Sequence, residues 1–276
     1  MKSFNFYLVA TLVAFSVIFS SCDPEGEITT VSVSLDKTSF DAGSAVMGSI
    51  TALGGLKSVT LLKGGTTVTG WPLTTFAFGS AVSGSDGAYS IRIDGLDEGE
   101  YTLRAVDKSN VEDNKTFTVV GLKTIAAATT IYCTLADGSG KSTCASADGT
   151  TYEPKNATVA QQAKIDFVYF NLSGTSLGIY SPSSVPAALT TTFANWTTKN
   201  ATTFAKTTSI TYANATYLTV KTAADAATAT SVTGLAANDV VVFKTAGGKV
   251  GLFKVNSITA GYLAADNVNI NIKVQP

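Results

Sequence analysis

The 276-residue chain contains no histidine, and that absence removes whole classes of chemistry. Ser-His-Asp and Cys-His nucleophile systems are excluded, and the commonest general base and transition-metal ligand is missing. Charge is scarce as well: charged residues make up 14% of the chain and the formal net charge is −1. So weakly charged a chain does not condense on phosphate, which argues against nucleic acid as a partner. Cysteine occurs only 3 times and proline 6 times. The apolar run from Phe4 to Phe19, interrupted by Asn5, Thr11 and Ser16, falls short of the roughly 20 residues that cross a bilayer as a helix. What fills the chain instead is a 45% hydrophobic fraction, 24 glycines and abundant Thr, Ser and Ala. That mixture is too apolar for disorder, and its β-branched side chains suit pleated surfaces.

Residues 1–22 have the build of a secretory signal: Lys2 as the basic tip, the apolar run, then Ser20, Ser21 and Cys22. A cysteine directly after small residues resembles a bacterial lipoprotein signal, although Phe19 stands where that pattern usually has Leu. The resemblance implies a signal peptide over 1–21, cleavage after Ser21, and lipid on Cys22. Several acyl chains would hold the protein to a membrane, since each buried methylene contributes about 0.8 kcal/mol. Residues 22–29, with Asp23, Glu25 and Glu27, read as an acidic tether. They resemble the surface-export signal of Bacteroidota lipoproteins, which implies an address on the outer face of the outer membrane.

From Thr30 onward the pattern is short strands punctuated by turns. Val31, Val33 and Leu35 alternate with Ser32 and Ser34, the period of a half-buried strand. Gly64-Gly65 and Ser85-Asp86-Gly87 mark turns. Several strands over residues 30–121 point to an antiparallel sandwich. The phrase Gly99-Glu100-Tyr101-Thr102-Leu103-Arg104-Ala105-Val106-Asp107, followed by Phe117-Thr118-Val119-Val120, resembles the last two strands of bacterial Ig-like surface domains. Residues 122–130 form an Ala- and Thr-rich junction, and 125–276 read as a second β-rich domain. Asp239 to Lys244 and Lys249 to Val255, flanking Thr245-Ala246-Gly247-Gly248, make the strongest hairpin signal. Together with Ile165-Asp166-Phe167-Val168-Tyr169-Phe170 and Ser181-Pro182, that segment resembles the C-terminal domain of uncharacterised Bacteroidota lipoproteins. The expected class is all-β in two sandwich-like domains, the first Ig-like. One short helix is expected over 194–206, entered at Asn195 and weakened by its threonines.

Motifs for chemistry are sparse. Gly138-Ser139-Gly140-Lys141-Ser142-Thr143 has Leu135 where a Walker loop needs glycine, so no nucleotide is expected. Asp94-Gly95-Leu96-Asp97-Glu98-Gly99 lacks the ladder of a calcium loop, and no metal or cofactor is expected. The second-half carboxylates Glu153 and Asp166 show no paired spacing of the kind that runs glycoside hydrolysis. In an exported protein Cys133 and Cys144 read most simply as a disulfide, contributing about 2–3 kcal/mol, the alternative being two free, buried thiols. Trp71, Trp196 and tyrosines such as Tyr132, Tyr152 and Tyr180 are candidates for a sugar-stacking platform, with Trp196 the leading ligand-binding residue.

These readings converge on a non-enzymatic outer-membrane surface lipoprotein acting as a binding or adhesion module toward an extracellular glycan or protein. Two alternatives stay open. One is a fimbrillin-like pilin, although the only arginines, Arg92 and Arg104, lie inside expected strands, where the maturation cleavage of such pilins lacks a site. The other is a glycan-binding accessory lipoprotein of a nutrient-uptake complex.

Overall fold

The computed structural model describes residues 31–135, 138–171, 177–259 and 266–276. The signal peptide, Cys22 and the acidic tether lie outside the described residues. Among those described, no helix is long and apolar enough to cross a membrane.

The protein is all-β, with two short helices. In the first half run β1 (Val31–Leu35), β2 (Ser39–Asp41), β3 (Val46–Ala52), β4 (Leu56–Lys63), β5 (Thr66–Thr67), β6 (Val82–Ser85), β7 (Ala88–Ile93), β8 (Gly99–Asp107) and β9 (Glu112–Val120). They form a four-stranded sheet, β1-β3-β7-β6, packed on a five-stranded sheet, β2-β9-β8-β4-β5, an Ig-like sandwich. Alternation does the sorting. Tyr101, Leu103 and Ala105 of β8 face the core while Thr102, Arg104 and Val106 between them stay partly open. Phe117 stacks on Tyr101 at 5.4 Å between ring centroids and meets Phe40 edge-on at 5.7 Å.

The second half holds β10 (Lys123–Thr124), β11 (Thr129–Tyr132), β12 (Thr143–Cys144), β13 (Thr151–Tyr152), β14 (Phe167–Asn171), β15 (Leu177–Tyr180), β16 (Thr203–Thr207), β17 (Ser231–Thr233), β18 (Val240–Lys244), β19 (Val250–Thr259) and β20 (Asn267–Val274). One sheet follows the order β10-β20-β19-β18-β16, with β11 also on β20; the other is β13-β12-β14-β15-β17. The expected hairpin is β18–β19. Its turn closes through Gly248 N donating to Thr245 O at 2.9 Å, and Gly248 takes φ +81°, a conformation glycine adopts without strain.

Two helices complete the fold, α1 (Val159–Gln162) and α2 (Tyr217–Asp225). Each opens on a reciprocal capping box, Thr158 with Gln161 and Thr216 with Thr219. The helix expected over 194–206 is absent. There the chain runs through turns into β16, paired with β18. Threonine-rich sequence with a buried Phe204 fits a strand better than a helix, because β-branched side chains lose rotamer freedom on a helix.

The β18–β19 sheet is apolar on both faces. Val241, Phe243, Phe253 and Val255 face the opposing sheet, where Phe167 sits 4.9 Å from Phe243 and 5.6 Å from Phe253. Val240, Val242, Val250 and Leu252 face the other way, into one continuous core with α2 and the first sandwich. Polar ties add direction to that seam. Tyr217 N donates to the Glu98 carboxylate at 3.0 Å, and Gln275 Nε2 donates to Ala42 O at 3.2 Å. Burial and the neighbouring Asp97 hold the Glu98 carboxyl above its ordinary range. Gly43, at φ +87°, leaves room that a Cβ would take from the Tyr217 hydroxyl. Phe167→Ala should destabilise the protein by about 3–5 kcal/mol, the usual cost of emptying an aromatic core position, as read from urea unfolding.

Candidate functional site

Trp196 does not offer a sugar platform. It is 7% exposed, its Nε1 donates to Pro154 O at 3.0 Å, and its ring meets Phe193 edge-on at 4.7 Å. Phe193, Leu189 and Ile165 pack with it in a small core of their own, so the ring is a plug with no open face. Tyr180 is buried too, while Tyr132 is exposed and Trp71 and Tyr152 are half-buried. Tyr180 shares the closed core of Trp196 and Tyr152 packs at its edge, so they meet inside the fold and not as a stacking surface.

The expected disulfide is also corrected: Cys133 and Cys144 are free and buried. Cys133 follows β11, which joins the sheet of β20, whereas Cys144 lies in β12 of the opposing sheet. Each thiol packs in the core between the sheets and turns toward the carbonyl of the following residue, Thr134 at 3.7 Å and Ala145 at 3.5 Å. They act as small apolar side chains. Burial raises both thiol pKa values, that of Cys144 strongly.

The glycine-rich stretch at 138–143 leads into strand β12 in place of a helix, so no row of amides faces a phosphate. Glu153 is half-buried, and its Oε2 accepts from Asn156 Nδ2 at 2.8 Å. Among the described residues no three acidic, thiol or imidazole groups gather as a metal would require.

Asp166 is different. It precedes β14, and its place is fixed from both sides. On one side Asn200 Nδ2 donates to Ala163 O at 3.0 Å and to Ile165 O at 2.8 Å, closing the end of α1. On the other, Asp166 N donates to Cys144 O at 2.9 Å. Ser146 then donates twice to Asp166 Oδ2, through Oγ at 2.6 Å and through N at 3.1 Å. Burial pushes the Asp166 carboxyl above the usual aspartate value, partly offset by the Ser146 bonds.

The residue is 7% exposed, yet it lines a cleft of ≈ 410 Å³ at one end of the second sandwich. Walls come from the loop after β12, the turn after α1 and the tip of the β18–β19 hairpin. Such a carboxylate accepts hydrogen bonds and attracts positive charge. It is poorly placed for hydrolysis, because the neighbouring Ser146 hydroxyl is buried, donates its own proton to Asp166, and has no imidazole to activate it. A larger groove of ≈ 680 Å³ lies on the first sandwich beside Phe76 and Tyr89, but its charged groups, Asp86 and Lys108, are exposed. Of the cleft's lining, the sequence marked Thr245, Gly247 and Lys249 as a hairpin tip and Asp166 as the one candidate for chemistry. Ser146 and Asn200 carry no local signal, since long-range pairing brings them there.

No protein-family model matches the chain, and no curated protein matches it. Among solved structures, the fibronectin(III)-like modules of CbhA from Clostridium thermocellum are 12% identical, covering 88% of this chain and 92% of that one, at a TM-score of 0.22. At that score the likeness carries no weight here; the sandwich architecture is read from the sheets themselves.

Both thiols should stay silent toward a thiol reagent in the folded protein and titrate together once it is unfolded. Mass spectrometry finding a Cys133–Cys144 peptide link in unreduced protein would contradict the arrangement.

Proposed function

We propose that this protein is a non-catalytic binding module on the cell surface, held to the outer membrane through lipid on Cys22, whose second domain presents the Asp166 cleft to a protein ligand. The observation that carries the reading is the fixed, half-used carboxylate in an open cleft. Such preorganised polar groups in a concave site give specificity to binding. Signal-like residues 1–22 and the acidic tether support the address. The missing histidine supports a binding role over catalysis.

The two alternatives are less well supported. A pilin built by strand exchange needs an open sheet edge, and four strands at or next to the edges have backbone groups already engaged. Val33 N of β1 donates to Asp113 Oδ2 at 2.7 Å, Leu73 bridges the outer side of β4, Gly84 N of β6 donates to Phe76 O, and Ala229 bridges β16. A glycan-uptake role leaned on Trp196, which is buried.

Two experiments test the proposal. Palmitate should label the wild-type protein in cells and fail to label Cys22→Ala; label retained on the variant would refute the anchor. Full-length protein displayed on vesicles should capture a protein from a panel of extracellular proteins and glycans. Hits confined to glycans, or ladders of covalently stable polymer, would contradict the module reading.

A further inference from the structure

We infer that the Asp166 cleft receives the primary ammonium group of a lysine side chain carried by the ligand. This rests on the binding-module reading above and supplies the chemistry of that same site.

Only one Asp166 oxygen is used by the fold. Oδ2 takes both Ser146 bonds, while Oδ1 accepts none among the described residues, and the residue lines the cleft. A carboxylate drawn this far from water is costly to keep charged unless a cation meets it. No ammonium of the chain does so among the described residues. Lys249, from the hairpin tip, donates to Pro276 O at 2.8 Å. Lys164, from the turn after α1, is exposed on the rim and joins no ion pair. The remaining groups that face Asp166 add no positive charge. Asp148, on the loop after β12, is a carboxyl group whose Oδ1 accepts Thr150 N at 2.8 Å. Asn200 is neutral, and the buried Cys144 thiol stays protonated because its pKa is raised.

The walls complete the match. Ala145, Ala147, Ala163 and Val274 line the cleft, and no aromatic ring does. A sugar would lack a stacking face there. A four-carbon stem ending in an ammonium would bury its methylenes along the alkyl walls and bring its head to Oδ1.

The test uses n-butylammonium as the probe of a lysine side chain and n-butanol as its neutral counterpart, with full-length protein in detergent micelles observed by NMR. Butylammonium should give saturable shifts at the Ser146 and Asp166 amides at neutral pH, and butanol should not. Asp166→Asn, which keeps an acceptor for Ser146, should weaken the probe by roughly tenfold or more. Ala163→Leu, which fills one wall without touching the carboxylate, should weaken it as well and covers the case in which Asp166→Asn fails to fold. The ammonium needs the ionised carboxylate, so affinity should fall as pH drops through the Asp166 pKa, which burial sets above the usual value.

Absence of saturable shifts, or equal binding by butylammonium and butanol, would overturn the inference. A protein ligand whose capture survives both Asp166→Asn and Ala163→Leu would also overturn it while leaving the binding module standing. Probe binding lost in both variants, with no protein ligand found, would support the ammonium site and count against the module.

Discussion

The structure depends on one sheet with two apolar faces. β18 and β19 alternate as strands must, but both sets of side chains are buried: Val241, Phe243, Phe253 and Val255 on one side, Val240, Val242, Val250 and Leu252 on the other. Each such side chain contributes about 1.5–3 kcal/mol on leaving water. The inner set closes the second sandwich around Phe167, while the outer set joins α2 and the first sandwich in one core. Loss of packing on either face would therefore be felt on both sides of the sheet. The same hairpin carries its tip, Thr245 to Lys249, to the mouth of the Asp166 cleft.

Much of this was legible in the residues. The unbroken apolar runs either side of Thr245-Ala246-Gly247-Gly248 mark a hairpin, and Val31-Ser32-Val33-Ser34-Leu35 marks a strand with one buried face. Helix α2 left a fainter trace. Tyr217, Val220 and Ala224 fall on one helical face and Thr216 caps it, but β-branched residues dilute the pattern. The cysteines misled because proximity in sequence says nothing about which sheet each strand joins. Cys133 and Cys144 sit on opposing sheets and pack as apolar side chains. Trp196 misled for a related reason: it lay in an expected helix over 194–206 as a candidate stacking ring, whereas Phe193 and Pro154 close over it. Asp166 was legible only as a carboxylate without a paired spacing, because Ser146, which bonds it, and Asn200, which fixes the adjacent backbone, come from 20 and 34 residues away, beyond any local pattern.

The site follows from how that charge is accommodated. Ser146 supplies two donors to one oxygen, which lowers the cost of ionisation, while burial raises it, and the net effect keeps the carboxyl above its ordinary range. The same cleft is lined by Ala145, Ala147, Ala163 and Val274, and the proposed lysine-type ligand rests on that pairing of a carboxylate with alkyl walls. In the first sandwich Asp113, Leu73 and Phe76 each occupy a backbone group of β1, β4 or β6 that an added strand would need.

The central claim is that the two-faced sheet makes both sandwiches one cooperative unit. Trp71 packs against the core shared by the two halves and Trp196 lies in a separate core of the second domain, so each can serve as a lone fluorescent probe. In urea, full-length Trp71→Phe and Trp196→Phe should each unfold with fluorescence and far-UV circular dichroism tracing one coincident transition. A fluorescence midpoint that separates from the circular dichroism midpoint in either variant would show that the sandwiches unfold independently and would contradict the account.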